Sequence, residues 1–136
     1  MNSRLVWLAA LAACTTDDAI DQVGINEIAS AQSDADWVEV MNVTDKPMSL
    51  AGWTVEVDGE PMSFEDTALD AGAFAVLSDL ALSDDGGELT LIDPDDRVVD
   101  VVMFPAMTPE EGYGRLPDAA PNWQRLPMVT PGSSNR

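Results

Sequence analysis

Apolar and polar positions alternate in short runs along most of the chain, and turn residues separate the runs. The alternation is clearest over residues 37–43. Trp37, Glu39, Met41 and Val43 fall on one face, and Val38, Val40 and Asn42 on the other. Both faces are mostly apolar, which predicts a central strand. Glu39 and Asn42 then need hydrogen-bond partners wherever they are buried. Thr44-Asp45-Lys46-Pro47 turns the chain. Gly52 marks a predicted bend or bulge, and Trp53, Val55 and Val57 share one face beyond it. Residues 36–58 are therefore expected to form a hairpin of two central strands.

The rest of the chain continues in the same manner. Residues 23–30 predict a first strand. Asp58-Gly59 is a tight hairpin signal, and Pro61 limits the run after it to a short edge strand. Residues 73–77 predict a strand. Residues 78–87 predict a loop, with Leu80 and Leu82 tucked beneath it. Residues 88–92 predict another strand, and Asp93-Pro94-Asp95-Asp96 a turn. Residues 97–104 give the last long strand, with a wholly apolar face of Val99, Val101 and Met103. From Pro105 the periodicity fades and prolines recur. This part is expected as an extended tail laid over the rest, with short strands near residues 113–116 and 123–125. About seven strands at this spacing predict an all-β sandwich.

The first residues break the pattern. Residues 5–13 are an unbroken run of 9 apolar residues behind Arg4. A helix needs about 20 such residues to span a bilayer, so the run fits the core of a secretory signal. It ends in Leu11-Ala12-Ala13-Cys14, which resembles a bacterial lipobox. That resemblance implies cleavage before Cys14 and lipidation of its sulfur and new N-terminus. The expected organisation is a signal peptide at 1–13, a polar tether at 14–22 and a β-sandwich at 23–136. Lipid chains at about 0.8 kcal/mol per buried CH₂ would hold the protein to a membrane. Thr15 after the cysteine favours the outer membrane or cell surface over the inner membrane.

Charge narrows the partners. The chain has 25 acidic and 6 basic residues in 136, a formal net charge of −19. Arg4 leaves with the signal, so the mature chain is more acidic still. Such a surface repels nucleic acid and suits a solvated, aggregation-resistant protein. There is no histidine, and Cys14 is the sole cysteine. Internal disulfides and Ser-His-Asp or Cys-His catalysis are thereby excluded.

With the strands placed, a set of motifs comes into line. They are Ile25-Asn26-Glu27-Ile28, Trp37-Val38-Glu39-Val40-Met41-Asn42, Leu50-Ala51-Gly52-Trp53, Phe74-Ala75-Val76-Leu77, Val98-Val99-Asp100, Gly114-Arg115-Leu116-Pro117-Asp118, Trp123 and Thr130-Pro131-Gly132-Ser133-Ser134-Asn135. Together, over residues 25–135, they resemble a bacterial lamin tail domain. Met41 stands where that family usually has an aromatic residue, and Tyr113 where a serine is usual. The resemblance implies an immunoglobulin-like β-sandwich without catalytic residues. In bacteria such a domain is often appended to secreted enzymes or coat proteins, and it serves interaction or attachment. It implies no cofactor. The expected partners are a membrane, through the lipid, and a protein or cell-surface polymer.

Three groups of residues remain as candidate sites. Asp93, Asp95 and Asp96 crowd one turn and Asp84 and Asp85 another, and clustered carboxylates suit calcium. The spacing lacks the EF-hand pattern, so ordinary Asp-rich turn chemistry is the simpler account. Glu27, Glu39 and Asp100 lie within strands. They could in principle act as paired carboxylates in a hydrolase, but Arg115 or backbone groups are their expected partners. Trp37, Trp53 and Trp123 could stack on sugars; their place in apolar alternation favours core or tail packing. A calcium- or carbohydrate-dependent adhesion domain is the alternative to a simple binding module, and a carboxylate-only hydrolase stands behind both. Trp37, Glu39, Asn42, Gly52, Trp53, Asp100 and Arg115 are the expected structural residues.

Overall fold

The structure is a computed structural model that describes residues 18–30 and 35–136. Cys14 and the signal-like run lie outside the described residues. Those residues contain no α-helix and form eleven strands. In chain order these are β1 (Val23–Ala29), β2 (Asp36–Asn42), β3 (Met48–Ser49), β4 (Thr54–Val57), β5 (Glu60–Ser63), β6 (Ala68–Leu69), β7 (Phe74–Leu80), β8 (Gly86–Ile92), β9 (Val98–Pro105), β10 (Gly112–Arg115) and β11 (Trp123–Leu126). A five-stranded sheet runs β11-β10-β1-β2-β7, and a four-stranded sheet runs β5-β4-β8-β9. β3 and β6 pair separately. All pairings are antiparallel.

The two large sheets face each other across one apolar core. Ile25, Val38 and Val40 come from the first, and Val55, Leu89, Leu91 and Val102 from the second. All seven are fully buried, and each contributes about 1.5–3 kcal/mol by leaving water. The β4–β5 turn is set by Asp58 and Gly59, whose φ values of 48° and 93° give the doubly left-handed turn that matches strand twist.

Three expectations need correction, on the hairpin, the C-terminal tail and the tether. Residues 36–58 do not form a hairpin, because β2 and β4 belong to different sheets. The buried Asn42 side chain explains the departure of the chain from the first sheet. Its amide donates to the carbonyls of Lys46 and Leu69 at 2.9 Å, and its Oδ1 accepts from Thr44 N. Gly52, with φ 81°, gives the first of its two expected roles, a bend, in the turn before β4. A Cβ there would stand 3.1 Å from Pro94.

In β9 the core face is the mixed one, with Asp100, Val102 and Phe104. The wholly apolar face is turned outward, with Met103 63% exposed. The interior holds a cation that needs Asp100, which decides the choice. The segment after Pro105 is not laid over the sandwich throughout, since β10 and β11 are integral strands of the five-stranded sheet. Residues 18–22, expected as the end of a tether, run against the domain. Ile20 N donates to Ala119 O at 2.9 Å, and Val43 N to Gln22 O at 2.8 Å.

Candidate functional site

The most concentrated chemistry lies under the N- and C-terminal ends of the described chain. β10 brings Arg115 beside β1, where it is 1% exposed. Its guanidinium is almost wholly used. Nε donates to Ile25 O at 2.8 Å, Nη1 to Asp18 O at 2.6 Å and Ala120 O at 2.7 Å, and Nη2 to Asp100 Oδ2 at 3.2 Å. The Trp123 ring lies 5.0 Å from the guanidinium carbon and stacks on Tyr113. Asp100 Oδ2 also accepts from Ile25 N at 2.9 Å, which ties β9 to β1 across the flank of the sandwich. Burial pushes Asp100 above and Arg115 below their ordinary values, and the attraction between them opposes both shifts.

The second group lies on β1 and β2. Glu27 and Glu39 are register partners, and both are fully buried. Glu27 accepts from Thr130 N at 3.0 Å and from Thr130 Oγ1 at 2.6 Å. Glu39 accepts from Gly132 N at 2.7 Å and from Asn26 Nδ2 at 3.3 Å. Asn135 closes the set. Its amide donates to Arg115 O at 2.7 Å and to Asn26 O at 3.1 Å. Gly114 leaves the room for this, since a Cβ there would stand 2.8 Å from the Asn135 amide. Burial raises Glu27 and pushes Glu39 up to about 8, against the pull of the hydrogen bonds each accepts.

This arrangement is a clasp. The carboxylates hold residues of the tail and are covered by them, so a substrate does not reach Glu27 or Glu39. Beside Arg115 a cleft of about 150 Å³ opens between residues 18–21 and Val99. Its one cation is already bound to four oxygens.

The other candidates stand apart from the clasp. Asp93 Oδ1 accepts from the amides of Asp95 and Arg97, and Arg97 pairs with Asp93 and Asp95 at 3.1 Å. The Arg97 amide and guanidinium hold the Asp93 carboxyl below its ordinary value. No group of three acids placed to hold a metal occurs among the described residues. Trp37 and Trp53 are buried, and Trp53 belongs to the main core. Sequence reasoning missed Asn26, Thr130 and Gly132 as the partners of the buried glutamates, and Asp118 and Asn135 as the residues that hold Asn26 and Thr130 in place. Their one signal was membership of the motifs around residues 25–28, 114–118 and 130–135.

Two antiparallel sheets over one core, closed by a buried Arg–Asp pair, define an immunoglobulin-like β-sandwich with no exposed catalytic constellation among the described residues. The chain belongs to the lamin tail domain family: the family model described as Lamin Tail Domain matches residues 16–105. The match begins ahead of β1 and ends with β9, so β10 and β11 lie beyond it. The comparisons with curated proteins and with solved structures returned no match.

Proposed function

We propose that the protein is a non-catalytic binding or structural module, anchored by lipid on Cys14 to a bacterial cell envelope. One observation carries the non-catalytic part: Glu27, Glu39, Asp100 and Arg115, the buried ionisable groups among the described residues, are all used in holding the protein's own segments. Nothing is left over among them to act on a substrate. The anchor rests on the sequence, in which the apolar run leads into Leu11-Ala12-Ala13-Cys14. The surface charge fits a module kept soluble at a membrane face and turned away from polyanions.

The anchor is tested by metabolic labelling with a clickable fatty acid and by fractionation of the cells. Label on the wild-type chain, with the protein in the membrane fraction, is the expected result. Cys14→Ser should remove the label and the membrane association together. A labelled C14S chain, or an unlabelled wild-type chain in the soluble fraction, would end the proposal.

A further inference from the structure

The two flanks of the sandwich are closed differently. On one, Asp100 of β9 reaches Ile25 N and Arg115, so the gap between the sheets is bridged by a buried ion pair. On the other, β7 is the edge of the five-stranded sheet, and no strand of the described residues pairs with its outer side. A groove of about 190 Å³ runs beside it. Ala75, Val76 and Leu77 form one wall, Glu65 and Thr67 the other, and the buried Leu50 and Phe64 the floor.

Edge strands normally carry something that discourages pairing. β5 holds Pro61, β11 is only 4 residues long with Arg125 on it, and β9 turns a charge inward through Asp100. β7 has 7 residues; a bulge at the exposed Asp79 blunts its end, but its first five, Phe74-Ala75-Val76-Leu77-Ser78, carry neither charge nor proline. Val76 is 37% exposed. The free edge and a groove with apolar residues on one side and polar ones on the other therefore occur together.

Charge selects the occupant. Residues 47–96, which supply the whole groove and β7, contain no lysine or arginine. Glu65 lines the groove, Asp79 lies on β7, and Asp66 and Asp70 adjoin these segments in the chain; all four are exposed. A second copy of this chain would bring the same acids to the same edge and be repelled. We propose that β7 and its groove bind an extended basic peptide segment of a protein partner as an added strand. Backbone hydrogen bonds to β7 would supply affinity. Apolar side chains at alternate positions would enter the groove, and lysines or arginines between them would meet the acids. This rests on the reading of the chain as a binding module and names the class of partner.

The test titrates the full chain with three peptides: alternating lysine–valine, alternating lysine–serine and alternating glutamate–valine. Backbone amide shifts are followed by NMR. The lysine–valine peptide should saturate, with shifts concentrated in residues 64–67 and 74–80, and the other two should bind at least about tenfold more weakly. Val76→Lys places a charge on the exposed edge, and Glu65→Lys reverses the groove wall. Both sites are solvent-exposed, so both variants should fold, and each should weaken binding about tenfold. Equal binding of the lysine–serine peptide would reduce the effect to charge alone and overturn the proposal. So would shifts at another edge, self-association through β7 in place of peptide binding, or no saturation. A chain that is lipidated on Cys14 yet ignores the peptide would lose this inference and keep the envelope assignment.

Discussion

At the scale of single residues, the buried charges set both stability and its pH dependence. Replacing Arg115 with alanine strips Asp100 of its countercharge and three backbone carbonyls of their donor. Loss of one partner of such a buried pair costs about 3–5 kcal/mol. A thermal melt of Arg115→Ala should fall by at least about 10 °C; an unchanged melt would mean that the guanidinium is dispensable. Glu39 gives the pH prediction. Its folded value of about 8 lies above the ordinary 4.5, so in that window the folded state holds a proton that the unfolded state has released. The stabilisation from this group is complete below pH 4.5 and is lost as pH rises toward 8. Urea midpoints measured between pH 5 and 9 should decline with pH, and Glu39→Gln should flatten that decline. A midpoint that rises through the window would refute the assignment.

At the scale of elements, the C-terminal segment is a working part of the sheet. Deleting residues 130–136 removes both donors to Glu27 and the Gly132 donor to Glu39, and uncovers both acids. The expected loss is about 3 kcal/mol or more, read from denaturant unfolding. Unfolding at the same denaturant concentration as the intact chain would show that the clasp is ornamental. The sequence made the strands themselves legible. Alternation in β2, β4, β8 and β9 located each within about two residues, because one face of each must meet the core. It did not reveal which sheet a strand joins, since β2 and β4 share one signature and the choice lies with the Asn42 contacts between them. It also left open which face of β9 meets the core. An all-apolar row looks like core until Arg115, distant in sequence, demands a carboxylate inside. The clasp was hidden for the same reason: the Gly132 amide that Glu39 accepts from is 93 residues away. Short polar residues such as Thr130 and Asn135 look like ordinary turn residues until the fold buries them.

At the scale of the whole molecule, the formal charge of −19 works against compactness. Raising ionic strength from about 0.01 M to about 0.15 M shortens the screening length from about 30 Å to about 8 Å. Scanning fluorimetry should then show the melting midpoint rising by about 5 °C. A falling midpoint would mean that attractive pairs such as Arg97–Asp93 outweigh the repulsion. The guanidinium grip on Asp18 O bears on mechanics as well. Tension applied on the N-terminal side of the chain enters the domain at that contact, which gives first. The load then passes to β1, hydrogen-bonded along both sides to β10 and β2. When it acts along that strand, many bonds are sheared together and none is peeled singly. The fold meets a pull from that end with a strand paired on both sides.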